Sequence, residues 1–115
     1  MAEPTVFEKI IAREIPAEIV LETDRIIAFT DIHPQAPMHV LVVPKTPAYR
    51  DVVELAAAEP ELLAEMIQAA QAIARERGDG GDFRLVFNTG ELAGQTVFHA
   101  HAHVLAGSFG EGSLA

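Results

Sequence analysis

Hydrophobic residues recur along this chain with two periods, and the places where the period changes mark out the elements. Residues 5–13 place Val6, Phe7, Ile10 and Ile11 on one stripe of a short helix, with Thr5 and Glu8 forming a capping box at its start. Ile15-Pro16 ends it, because proline disfavours helical backbone in the residue before it. Residues 19–22 and 25–29 read as two strands rich in β-branched residues, joined at Thr23-Asp24. Residues 31–37 hold two prolines and no usable period, which predicts a loop. Residues 39–43 alternate strictly: His39, Leu41 and Val43 share one face, and Met38, Val40 and Val42 the other. Pro44 closes that strand.

The helical period returns at residues 51–57, with Asp51 as N-cap, and again at 60–77. The longer helix has Pro60 at its first position, Glu61 and Glu65 in its first turns, and Arg75 and Arg77 near its end. Leu62, Leu63, Met66, Ile67, Ala70, Ile73 and Ala74 make its buried stripe, and Gly78 suits the C′ position. Residues 83–88 predict a strand with Arg84, Val86 and Asn88 on one face, and 89–96 a loop containing Gly90 and Gly94. A final strand carries the stretch from Gln95 to Leu105. This order predicts an α+β fold: a mainly antiparallel five-stranded sheet, one long helix and a short N-terminal helix. There is no internal repeat and no linker. The reading is one domain over 1–115, with its core at 5–107 and a Gly- and Ser-rich tail at 108–115 that is expected to fray.

The final strand brings in the chemistry. His99, His101 and His103 stand at i, i+2 and i+4, so on a strand they share a face with Val97 and Leu105. Phe98, Ala100, Ala102 and Val104 then form an apolar face suited to a core. Adjacent imidazoles would lie roughly 6–7 Å apart. A helix would not bring i and i+2 together. Two kinds of chemistry fit such a row. The histidines could hold a metal. Alternatively, one is a nucleophile, and the others position and protonate an oxyanion such as a phosphate.

Composition narrows the setting. Half of the 115 residues are apolar and 22% are charged, enough for one core and ordinary for a globular domain. No apolar run approaches about 18 residues, and Met1-Ala2-Glu3-Pro4 lacks the basic start of a signal peptide. The chain has no cysteine, hence no disulfide framework and no thiolate metal site, which favours the cytoplasm. Seventeen acids against eight Lys and Arg give a formal charge of −9, which argues against nucleic acid as a ligand. A small anion is compatible if imidazoles and backbone N–H groups meet its charge locally.

Taken together these residues resemble the histidine triad (HIT) family, whose signature His-φ-His-φ-His-φ-φ (φ hydrophobic) is matched by His99-Ala-His101-Ala-His103-Val-Leu. Phe7 to Glu18, Asp31 to Lys45 and Asn88 to Gly107 are similar to further blocks of its purine nucleoside phosphoramidase branch. The resemblance spans roughly residues 5–107. It implies a two-fold dimer and a hydrolase acting at the α-phosphate of a purine nucleotide through a nucleotidylated histidine, with no metal or cofactor. His101 matches the nucleophile. His99 and His39 match two histidines expected to form a relay that orients it. His103 matches the histidine near the phosphate and leaving group. Asn88, Gly94, Gln95 and Thr96 match a phosphate-contacting loop, and Asp31 the acid that binds the ribose hydroxyls. Phe7, Ile10, Phe29 and Ile32 match the apolar slot for the base. His33 matches no functional position and is expected on the surface. Three rivals stand beside this reading: a dinucleoside polyphosphate hydrolase of the same superfamily, a nucleotide-binding regulatory protein, and a metal-dependent hydrolase using His99, His101 and His103. The chain departs from the family in having Ala at both φ positions between the histidines, no Cys near Glu8, and a tail without Trp.

Overall fold

Helix α1 (Val6–Ile11) opens the computed structural model, which describes residues 3–78 and 80–109. Its capping box is formed: Glu8 N–H donates to Thr5 Oγ1 at 3.2 Å, and Thr5 N–H to Glu8 Oε1 at 3.0 Å. Strands β1 (Ile19–Glu22) and β2 (Ile26–Thr30) follow, joined by a turn in which Thr23 Oγ1 accepts from the N–H groups of Arg25 and Ile26. Then come β3 (Met38–Pro44), α2 (Val52–Ala58), α3 (Pro60–Arg77), β4 (Arg84–Val86) and β5 (Ala102–Ala106). The five strands form one sheet in the order β1-β2-β3-β5-β4, and every pairing is antiparallel. The α+β architecture expected from the periods is therefore present.

Alternation along β3 sorts the core into two layers. Val40 and Val42 pack with Ala102, Val104, Leu62, Met66, Ala70 and Ile73 beneath α3. Leu41 and Val43 point the other way and pack with Phe7, Ile10, Ile27 and Phe29 under α1. The α1 face also carries His39 and His103, and it is the face that matters for chemistry. Among the described residues no helix is long and apolar enough to cross a membrane.

Three expectations are corrected. The histidine segment is not one long strand: β5 begins only at Ala102, so of the triad only His103 lies on it. The reason sits across the ladder. Val42 pairs with Ala102, and continued register would bring Pro44, which has no N–H, opposite residue 100. The chain diverges there instead. Ala100 N–H turns to the Tyr49 carbonyl at 2.9 Å. Alternation is consequently lost upstream, and Phe98 is 38% exposed beneath the Arg50 guanidinium rather than in the core.

On α3 the buried stripe is narrower than expected. Leu62, Met66, Ala70, Ile73 and Ala74 are buried, Leu63 is half-buried, and Ile67 is 42% exposed. Gly78 is the C-cap with extended backbone rather than a left-handed C′ residue; its need for glycine is steric, because a Cβ there would lie 2.7 Å from the Ala74 carbonyl oxygen. The expected fraying of the tail concerns mainly residues 110–115, which lie outside the described residues. Just before them, Phe109 stacks under Arg84.

Candidate active site

The sheet's register decides which histidines meet. Leu41 pairs with His103 and His39 with Leu105, so His39 and His103 are diagonal neighbours on the α1 face. Their rings touch, with His39 Nε2 and His103 Nδ1 2.9 Å apart. Hydrogen-bond partners then dictate the tautomers. Gln35 N–H donates to His39 Nδ1 at 3.0 Å, so a neutral His39 carries its proton on Nε2 and gives that bond to His103 Nδ1. His103 is left with its proton on Nε2. His101 Nδ1 lies 2.8 Å from the His99 carbonyl oxygen, which can only accept. His101 is therefore the Nδ1–H tautomer, and its Nε2 keeps a lone pair. His99 Nε2 donates to the Pro44 carbonyl at 2.7 Å, which leaves its buried Nδ1 without a partner among the described residues.

Burial keeps all four rings neutral. It depresses the His39, His99 and His101 values below the ordinary imidazole figure, more than neighbouring acceptors and acids raise them. His103 is pushed down to about 4, by burial first and then by His101 and His39. Phe7 packs its ring edge-on against His101, with centroids 4.9 Å apart, and against Phe29 at 5.7 Å. The nucleophile candidate is thus held by a carbonyl on one side and a phenyl ring on another.

Of these rings, His101, His103, Phe7 and Phe29 line a cavity of about 340 Å³, a size suited to a small ligand. Phe7, Ile10, Phe29 and Ile32 line its apolar end, as the resemblance implies, together with Val6, Ile15, Pro16, Ala17, Leu41 and Val97. Asp31 stands at the side, its Oδ1 accepting from His33 N–H at 2.8 Å and its Oδ2 3.4 Å from His39 Nε2. Asn88, Gly94, Thr96, His101 and His103 form the opposite wall. A 3₁₀ turn (Glu91–Ala93) between left-handed-region glycines, Gly90 at φ 92° and Gly94 at φ 100°, shapes the loop that presents them. Among the described residues neither Asn88 nor Thr96 hydrogen-bonds another residue, so both keep their polar groups for a ligand.

Three expected site residues stand apart from the cavity lining: His39, which reaches it through His103, His99 and Gln95. His99 is 1% exposed and does not join His39; the structure replaces the expected His39–His99 relay with a His39–His103 pair. Gln95 is 2% exposed, and its side chain is spent on the backbone rather than offered to a ligand. Conversely His33, expected to be a bystander, lines the mouth. Leu41 could have been found from its place on the His39 face; Ile15, Pro16 and Ala17 gave no signal, because only the folded loop brings them there.

The donor set also bears on metal chemistry. Among the described residues the three groups whose ligand atoms converge, within 4.8 Å of one another, are Asp31, His39 and His103, not the three triad histidines. A cation on His39 Nε2 would force the ring proton onto Nδ1, against the Gln35 N–H. That arrangement suits a hydrogen-bond chain better than a metal.

Fold and site together present an antiparallel α+β sheet with His101 and His103 lining a ligand-sized pocket. Comparison with known proteins makes this specific: residues 12–110 match the HIT domain model, and the chain belongs to that family. It is 52% identical to an uncharacterized HIT-like protein of Synechocystis, with 93% of each chain covered. It is 46% identical to the purine nucleoside phosphoramidase of Escherichia coli K12, covering 93% of this chain and 90% of that one. Among solved structures, a HIT family hydrolase from Clostridium thermocellum superposes with a TM-score of 0.86 at 42% identity, over 94% of both chains. The chain is thus a hydrolase of the HIT family.

Proposed function

We propose that this hydrolase cleaves purine nucleoside phosphoramidates, of the adenosine 5′-phosphoramidate type, through a nucleotide bound covalently to His101. The observation that carries this is the 2.8 Å contact between His101 Nδ1 and the His99 carbonyl, which leaves a lone pair on Nε2 of a residue that lines the pocket. The 46% identity to a named purine nucleoside phosphoramidase supports the substrate class.

In this reading the base lies among Phe7, Ile10, Phe29 and Ile32, and Asp31 accepts from the ribose hydroxyls. Asn88, Gly94 and Thr96 meet the α-phosphate. His101 Nε2 attacks phosphorus; the phosphorus–Nε2 bond forms as the bond to the leaving amine breaks, and the amine takes up a proton from water at the open mouth. The ring of the adduct is cationic, and the His99 carbonyl on its Nδ1–H stabilises it. Neutral His103, its Nε2–H aimed by the bond from His39, donates to the phosphoryl oxygens as their charge develops. Water then attacks phosphorus and gives up a proton to solvent, replacing the one the amine took; the phosphorus–Nε2 bond breaks, and the nucleoside monophosphate leaves. No step needs a metal, cofactor, nucleic acid or membrane. A cysteine-free chain suits the reducing cytoplasm, where we place it.

His101→Ala is expected to abolish turnover while AMP still binds. Wild-type enzyme should keep full activity after exhaustive chelation, and an alkaline quench should trap a nucleotidyl adduct on the peptide containing His101. The 2′-deoxy analogue should bind more weakly, because one acceptor on Asp31 goes unpaired, at about 1–3 kcal/mol. Activity lost on chelation and restored by Zn²⁺, with no adduct, would falsify the covalent route.

A further inference from the structure

We propose that Gln95 is a positioning residue: its side-chain amide braces the backbone that holds His101 as the Nδ1–H tautomer, and it does not touch the substrate. The activity readouts below rest on the phosphoramidase reading; the spectroscopic one does not.

Gln95 is a buried polar side chain with three hydrogen bonds, each to a different stretch of backbone. Its Oε1 accepts from Gly90 N–H at 2.9 Å, at the start of the loop that presents Gly94 to the pocket. Its Nε2 donates to the Arg50 carbonyl at 2.6 Å and to the Val97 carbonyl at 3.0 Å. One residue before Arg50, the Tyr49 carbonyl accepts from Ala100 N–H at 2.9 Å. The segment between Val97 and Ala100 is therefore pinned at both ends to Tyr49-Arg50, and the His99 carbonyl that fixes His101 lies inside it.

This brace matters because residues 95–101 lie outside the sheet. A strand would hold His99 by ladder bonds; here Gln95 and Tyr49 take that role. If the His99 carbonyl swings away, nothing holds the proton on Nδ1. A proton on Nε2 blocks the lone pair that attacks. A misplacement of about 1 Å costs on the order of 100-fold in rate.

The test compares the full-length wild type with Gln95→Leu and Gln95→Glu. For Gln95→Leu, kcat on adenosine 5′-phosphoramidate should fall about 10- to 100-fold, while AMP affinity stays nearly unchanged. Imidazole ¹⁵N spectra of the ligand-free protein should show His101 as a single Nδ1–H tautomer in the wild type and a mixture in the variant. Gln95→Glu keeps the shape but turns both donors into an acceptor facing two carbonyls. Protonation restores one donor, so its kcat relative to wild type should rise as pH falls. AMP affinity dropping in step with kcat would show a substrate contact and overturn the proposal. An unchanged His101 tautomer in Gln95→Leu would overturn it too. If that variant does not fold, a pH-independent rate ratio for Gln95→Glu is the overturning result. Should the wild type fail to cleave phosphoramidates, the substrate reading falls and the tautomer comparison still decides the role of Gln95.

Discussion

His103 shows how a residue's surroundings set both its chemistry and its cost. In water its imidazole would be half protonated near 6.5; in the fold it is pushed down to about 4, first by burial and then by His101 and His39. His39, His99 and His101 are displaced in the same direction, with burial the largest cause in each. The sign for stability follows. Below pH 6.5 the unfolded chain takes up protons that the folded chain refuses, so folding loses free energy as pH falls from 6.5 towards 4. Above 6.5 the contribution is fully present. We expect the thermal midpoint to drop between pH 7.5 and 5.5, a window above most carboxylate titration, and the drop to shrink in His103→Asn. A midpoint that is flat or rises over that window would contradict the assignment of neutral, buried histidines.

At the scale of elements, Met66 and Ile67 are neighbours on α3 with opposite fates. Met66 is wholly buried between the helix and the sheet, whereas Ile67 is exposed over two-fifths of its surface. Met66→Ala is expected to cost about 2–5 kcal/mol, because the cavity adds to the lost transfer energy. Ile67→Ala should cost the isolated protomer far less. Denaturant titration of the two variants checks this, and equal losses would mean that the stripe is as broad as its sequence reads. Both positions fit the helical period; only the packed sheet distinguishes them.

At the scale of the whole molecule, two surfaces of the described residues bear on assembly. β4 is an edge strand of the sheet, as β1 is at the other side, and α3 keeps Ile67 and half-buried Leu63 on its flank. We propose that a second copy covers these surfaces in a two-fold dimer, since an open edge and leftover apolar surface are what an isologous interface uses. Sedimentation should give a dimer at micromolar concentration, and Ile67→Glu should shift it towards monomer. A wild-type monomer under those conditions would rule the dimer out.

Periodicity alone was enough to place both flanking helices, the five strands in outline and the two faces of β3, because burial imposes period 3.6 on helices and period 2 on strands. The same local signals exposed the capping box at Thr5 and the triad at His99, His101 and His103. Where β5 begins was not local information: it depends on Pro44, more than fifty residues earlier, lying across the ladder without an N–H. The pairing of His39 with His103 rather than His99 depends likewise on cross-strand register, which a single strand does not contain. The burial of Gln95 depends on carbonyls from Arg50 and Val97 meeting at one point. Residue identity determined which groups could do chemistry here; tertiary structure decided which nitrogen carries each proton, because that is settled by whichever donor or acceptor the fold brings within 3 Å.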